Sequence, residues 1–168
     1  LQKHPAAAEA YHFAQSLKSA QSHTIICNYY DFSKFKSVAD IGGGFGELMR
    51  YILQKNPGLK GAVADLPEVI SAALNDPIHT ELKERYSTIE CDFFIEIPSG
   101  FDAYLLSNIL HDWNDTQAGK ILENCHKALD ENGKLLVVEM VVPEGNDFSI
   151  SKLLDLEMLV MGGGKERT

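Results

Sequence analysis

Residues 38–49 read VADIGGGFGELM, an apolar run that stops at three consecutive glycines and meets a fourth one residue later. SVADI (37–41) has the composition of a buried strand, and Gly42 ends it. ELMRYILQKNPG (47–58) then places Leu48, Tyr51, Ile52 and Leu53 on one helical face before Asn56, Pro57 and Gly58 close it. A strand, a glycine turn and a helix are expected in succession. Glycine at such a turn lets the backbone adopt a positive φ and lets a ligand approach the main chain. Taken alone, the glycines fit equally a tight turn with no ligand.

The same alternation extends along the chain. GAVADLP (61–67) reads as a second strand, and PEVISAALN (67–75) as its helix, with Pro67 suited to a first helical position. TIEC (88–91) is a shorter strand. FDAYLLSNIL (101–110) is apolar without clean alternation, as expected for a strand covered on both faces. DTQAGKILENCHKALDENG (115–133) sets Ile121, Leu122, Cys125 and Leu129 at helical spacing, with Gly133 past the end. KLLVVEMVVP (134–143) is the longest strand candidate, and a last helix is expected from Ser149 to Met161. Ahead of these, Ala8, Tyr11, Phe13, Ala14 and Leu17 predict an opening helix over 5–26. The order predicts an α/β chain with a doubly wound, mostly parallel sheet and helices on both faces.

Composition narrows the partners. The chain has 168 residues, enough for one domain with a real core, and is 45% hydrophobic and 23% charged. A net charge of -9 argues against nucleic acid or an anionic membrane, both of which select a basic surface. No apolar run approaches the ~18 residues of a membrane span, and no signal-peptide layout opens the sequence, so a cytoplasmic setting is expected. Cys27, Cys91 and Cys125 are too far apart for a metal site or a disulfide scaffold.

Ligands of open parallel sheets bind outside the carboxyl ends of the strands, where Gly42, Gly43 and Gly44 fall. The dinucleotide fingerprint G-x-G-x-x-G would need a third glycine at 47, which is Glu47; the spacing here is G-x-G-x-G. Asp65, ending the second strand, could accept from both hydroxyls of a ribose. Asp92, backed by Phe93 and Phe94, suits the amine and face of an adenine, although alone it fits a solvated turn acid. Together these residues suggest a site for an adenosine without phosphates.

Two further residues suggest proton chemistry. His111 stands just past the fourth strand, where an imidazole could take the proton of a phenol with pKa near ~10. A lone histidine there also fits capping or packing. Glu139 stands alone within LLVVEMVV, and an ionised carboxylate in a buried strand is costly unless paired. It serves either a site or a backbone amide. Neighbouring strands four and five would bring His111 and Glu139 to one edge. Met158 and Met161, with Trp113, could line an aromatic pocket or fill the core. A metal at His111, Asp112 and Glu139 is not expected. Ser149 and Ser151 lack the G-x-S-x-G elbow of a hydrolase.

VADIGGGFGELM, AVADLPEVI, CDFF, YLLSNILHDW, LLVVEMVVP and MGGGKERT, in that order, resemble the S-adenosylmethionine-dependent O-methyltransferases of small phenolic and hydroxylated aromatic molecules. That family includes plant caffeic-acid and flavonoid enzymes, acetylserotonin methyltransferase and bacterial natural-product relatives, and the resemblance covers residues 5–168. It implies a Rossmann-like methyltransferase fold, with 1–168 as the cofactor-binding catalytic domain and 1–36 as a leading helical segment. Gly42, Gly43 and Gly44 would pass the methionine part of the cofactor, Asp65 and Leu66 would meet its ribose, and Asp92 and Phe93 its adenine. Ser107 replaces a lysine of many plant relatives, which makes that contact shorter, water-mediated or absent. His111 would be the base, flanked by Glu139 and Glu166, with Asp112, Trp113, Met158 and Met161 on the substrate side. S-adenosylhomocysteine would be the product. Relatives are usually homodimers through an N-terminal helical domain, and continue past KERT into a further helix and two strands. Truncation at both ends, with the last strands missing, is therefore expected. The rival readings are a cofactor-binding module without turnover and a nicotinamide-linked oxidoreductase.

Overall fold

A helix over residues 22–29 (α1) leads into β1 (Ser37–Ile41). The chain then alternates through α2 (Glu47–Lys55), β2 (Lys60–Asp65), α3 (Pro67–Ala73), β3 (Tyr86–Glu90) and β4 (Ala103–Ser107). A single 3-10 turn (Leu110–Asp112), α4 (Asp115–Ala128), β5 (Lys134–Val138) and α5 (Ile150–Met161) complete it. The structure is a computed structural model that describes residues 22–74, 81–161 and 163–168. The opening-helix positions Ala8, Tyr11, Phe13, Ala14 and Leu17 lie outside the described residues.

All strand pairings are parallel, in the order β3-β2-β1-β4-β5, so the doubly wound α/β expectation is met. The alternation of side chains across a strand explains the two layers of core. Val38, Val63, Ala103 and Leu105 pack with Leu48, Met49, Ile52 and Leu53 of α2 on one face. Ala39, Ile41, Ala64, Tyr104 and Leu106 pack with Ile121 and Cys125 of α4 on the other. Ala103, Tyr104, Leu105 and Leu106 are all fully buried, which is why β4 shows no alternation in the sequence. The Tyr104 hydroxyl reaches the Ala128 carbonyl at 3.1 Å and ties α4 to the sheet. Arg85 donates to the carbonyls of Leu53, Asn56 and Leu59, and so fastens the end of α2 to the start of β3.

Several boundaries differ from expectation, and each has a local cause. β4 ends at Ser107 rather than 110, because Asn108 takes a left-handed conformation (φ 55°). β5, paired with β4, loses its partner there: the Asn108 amide to the Val138 carbonyl (2.9 Å) is the last bond, and the strand stops at 138 instead of 143. Glu139 therefore lies just beyond the strand, not inside it. α4 is closed at its start by the Asn114 side chain, which accepts from the Gln117 amide at 3.0 Å. It ends at Ala128, before Leu129, expected within it, and before Gly133, expected past its end, because Leu129 turns extended (ψ 133°). β3 starts at Tyr86 and β2 ends at Asp65, shifts of one or two residues from expectation.

Both outer strands of the sheet, β3 and β5, have an unpaired edge among the described residues. α5 exposes Leu153, Leu156, Leu159 and Val160. No helix of the described residues is long and apolar enough to cross a membrane.

Gly46 begins α2 with φ 80°, and a Cβ there would strike the Tyr86 hydroxyl. Gly44 has φ 59° but open space where its Cβ would go. Gly44→Ala is expected to cost about 1 kcal/mol, the left-handed strain alone, and Gly46→Ala about 2–3 kcal/mol. Denaturant melts of both variants check the ranking; equal losses would remove the Tyr86 contact from the account.

Candidate functional site

Because every strand runs the same way, the segments after β1, β2, β3, β4 and β5 all emerge at one edge. The strand order reverses between β1 and β4, the place where open parallel sheets bind their ligands. Gly42 and Ile109 face each other there: a Cβ on Gly42 would lie 2.6 Å from Ile109 Cδ1 and 3.5 Å from Phe93 Cε1. A Cβ on Gly43 would lie 2.7 Å from the Asp40 carboxyl. The missing side chains at 42 and 43 thus make room for the protein's own atoms. Among the three glycines, Gly44 is the one whose bare face meets open space.

Asp65, as expected, is at this edge. Its Oδ2 accepts from the Gly44 amide at 2.8 Å and its Oδ1 from the Leu66 amide at 2.7 Å. The acid and the glycine turn are therefore one unit, and Asp65 is only half-buried. Leu66 is exposed beside it, an apolar side chain with no core to fill. Asp92 bends its own loop, accepting from the Phe94 amide at 2.9 Å, as a turn acid does. Phe93, Phe94 and Trp113 form a cluster, Phe94 and Trp113 meeting edge-on with centroids 4.7 Å apart. Trp113, expected on the substrate side, thus packs with the residues expected at the adenine. Asn124 of α4 holds this corner, donating to the Phe93 carbonyl at 2.8 Å.

The second half of the edge centres on His111, on the 3-10 turn after β4. Its Nδ1 lies 3.0 Å from Glu166 Oε1 and 3.8 Å from Glu139 Oε2. Its Nε2 lies 3.6 Å from Asp112 Oδ1, on an exposed side chain. Glu139 uses its other oxygen on the main chain, accepting from the amides of Ile109 (3.0 Å) and Leu110 (2.7 Å). The two sequence readings of Glu139, site partner and amide acceptor, are each served by one oxygen. Burial pushes the Glu139 carboxyl up, opposed by the His111 ring and the two amides. Glu166 is buried, with its amide donating to Asp155 of α5 at 2.9 Å. Oε2 of Glu139 and of Glu166 are buried without a hydrogen-bond partner. Donor atoms of His111, Glu139 and Glu166 lie within 4.8 Å of one another, close enough for an ion, but 3.0 Å between Nδ1 and Oε1 is a direct hydrogen bond.

A cavity of about 230 Å³ opens beside this centre, lined by His111, Val137, Glu139, Met140, Val141 and the 165–168 segment. A larger hollow of about 660 Å³ lies at the opposite edge, among Lys34, Asp102, Asp130 and Lys134, away from all the residues above. Ser107 ends β4 at this edge, half-buried. Met158 is half-buried on α5, and the Met161 side chain lies outside the described residues.

Sequence reasoning passed over Asp40, the second acid of this edge. It is buried beneath Gly43, and its carboxyl is pushed up to about 7 by burial first and the Asp65 charge second. Its signal was available: an acid inside the apolar run VADI. Phe45, exposed within the glycine turn, was also unremarked.

Residues 3–168 match the family model of the O-methyltransferase domain. A phenazine O-methyltransferase of Lysobacter antibioticus is 43% identical over 168 residues, covering all of this chain and 49% of that protein. A caffeic acid 3-O-methyltransferase of Catharanthus roseus is 39% identical over 145 residues, covering 83% of this chain and 38% of that protein. Among solved structures, the O-methyltransferase NcsB1 from neocarzinostatin biosynthesis, in complex with S-adenosylmethionine and 2-hydroxy-5-methyl naphthoic acid, matches at TM-score 0.83 and 34% identity, over 100% of this chain and 50% of that one. The chain thus spans about half the length, or less, of the relatives it matches.

Asp40 gives a measurable pH dependence. Between its ordinary value of 3.8 and the folded value of about 7, the folded chain holds a proton that the unfolded chain has released. The stability it confers is complete below the ordinary value and is lost as pH rises through 7, at most on the order of 4 kcal/mol. Asp40→Asn is expected to flatten this slope and to melt above the parent chain at pH 8. Parallel pH–melting curves for the two would sink the assignment.

Proposed function

The chain belongs to the O-methyltransferase domain family, and on that premise we propose that it transfers a methyl group from S-adenosylmethionine to a hydroxyl of a small aromatic molecule, with His111 as the base. The observation that carries the reading is the His111 centre: an imidazole at the ligand edge of a parallel sheet, held at Nδ1 by a buried glutamate. The aromatic class of acceptor rests on the names of relatives, which act on a phenazine and on caffeic acid.

The cofactor supplies an electrophilic methyl on a sulfonium; the rest falls to the chain. Asp65 and Leu66, one polar and one apolar, offer a ribose both an acceptor and a packing surface. Gly44 offers bare backbone for the methionine part, and Phe93 and Asp92 offer the adenine a ring face and a free carboxylate oxygen. Asp65 places a carboxylate beside the glycine turn, where the positively charged end of the cofactor would lie.

An ionised carboxylate only accepts, so the short contact to Glu166 requires the Nδ1 proton on His111. The lone pair then stands at Nε2. That nitrogen would take the proton from the acceptor hydroxyl and so leave the hydroxyl oxygen free as the nucleophile. The imidazolium so formed is stabilised by Glu166 at 3.0 Å and by Glu139 at 3.8 Å. Burial of both carboxylates strengthens that attraction by excluding water.

Calorimetry with S-adenosylhomocysteine tests the cofactor: binding heat is expected, and its absence removes the whole reading. Asp65→Ala should weaken that binding about tenfold or more, through loss of charge-assisted bonds and of the Gly44 tether. His111→Gln should keep cofactor affinity within about twofold while lowering turnover about 100-fold or more. Retained turnover in His111→Gln would sink the base assignment while leaving the cofactor site standing.

A further inference from the structure

The segment 164–167 returns to the His111 turn from far along the chain and fastens it at several points. Arg167 Nη1 donates to the Leu110 carbonyl at 2.7 Å, and Nη2 donates to the Trp113 carbonyl at 2.8 Å. One guanidinium thus spans both ends of the turn that carries His111. Between those points, the Lys165 amide donates to the His111 carbonyl at 2.8 Å. Gly164 allows the approach, since a Cβ there would collide with that same carbonyl oxygen. Asp115, first residue of α4, gathers the cations: one oxygen takes Arg167 Nη2 at 3.1 Å and Nε at 3.3 Å, the other takes Lys165 Nζ at 2.6 Å. Glu166 sits between the two bonded residues, with its carboxylate on His111.

We propose that Arg167 and Asp115 are positioning residues for methyl transfer: a guanidinium clasp that sets the Glu166–His111 contact by gripping the turn on either side of the imidazole. The proposal rests on the reading of His111 as the base. The clasp complements Glu139, which holds the amides of the same turn while Arg167 holds its carbonyls. Arginine suits this place because its planar fork can donate in three directions at once; a lysine ammonium has the charge but not the geometry. The Asp115 side chain is 68% exposed, so its ion pairs add little to stability. The effect belongs instead to the alignment of two side chains.

The test compares Arg167→Lys, Arg167→Ala and Asp115→Asn with the parent protein. Arg167→Lys is expected to lower kcat about 10- to 100-fold, as a misplacement near 1 Å does, while S-adenosylhomocysteine affinity and melting temperature stay close to the parent's. Guanidinium at tens of millimolar should restore part of the kcat of Arg167→Ala. Asp115→Asn, the milder change, should lower kcat by less and serves if the arginine variants fail to fold. In the ¹⁵N-labelled protein, the downfield His111 Nδ1–H resonance should weaken or move in each variant. An unchanged kcat and an unchanged resonance in Arg167→Lys overturn the clasp. So does a loss that follows melting temperature and resists guanidinium. If the parent protein methylates no hydroxylated aromatic, the methyl-transfer reading fails instead, and the resonance alone decides whether the clasp sets the imidazole.

Discussion

At the exit of β4 the chain turns through the left-handed Asn108, leaving the amides of Ile109 and Leu110 without strand partners, and both donate to one oxygen of Glu139. Two main-chain donors on a single carboxylate oxygen fix both the acid and the loop. The consequences spread from there. Ile109 is directed over Gly42, so a side chain at position 42 would press on its Cδ1, 2.6 Å away, and carry a left-handed backbone (φ 73°). Leu110 enters the core beside Ala118 and Ile121. His111 is left at the rim, with Nδ1 facing the second oxygen of the same glutamate. Without Glu139, two part-buried amides would lack acceptors, and the turn that carries the imidazole would have no reason to keep this shape.

The ligand edge has two acidic poles. Asp40 and Asp65 crowd the glycine turn, where the Asp65 charge adds to burial in pushing the Asp40 carboxyl up, and Glu139 and Glu166 crowd the imidazole. On a chain of net charge -9 this arrangement costs stability, and a fold that served packing alone would not keep it. Under the proposed reaction both poles would meet positive charge: a sulfonium and an ammonium at the first, an imidazolium at the second.

The glycine turn and the alternation of strand and helix could be read directly from residues 37–67, because a strand buried on both faces is written as an unbroken apolar run and its turn as glycine. Strand ends could not. β4 and β5 stop where one asparagine takes a positive φ and one carboxylate captures two amides, and neither event leaves a periodic trace. Glu139 stood out in the sequence as a charge among valines, yet the pattern placed it within a strand that ends one residue earlier. Asp40 was legible as a single acid in the apolar run VADI, but the pattern alone did not say that both faces of that strand are buried. The role of Arg167 was invisible because the turn it grips is held by carbonyl oxygens, which every residue has, and its acidic partner Asp115 lies 52 residues away. Sequence motifs point to side chains that meet side chains; the grip of a side chain on bare backbone appears only in three dimensions.

The glutamate that faces His111 follows it by 55 residues, and the arginine that grips the turn follows Leu110 by 57. During synthesis the glycine turn, Asp65 and the β4 exit leave the ribosome well before either residue exists. The glycine turn and its Asp65 tether can therefore form first, while His111 waits for Glu166. The histidine centre is complete only when the 164–167 segment threads back onto a turn already held by Glu139. One edge of the sheet is thus written into the chain at the glycine turn and closed only by residues 164–167.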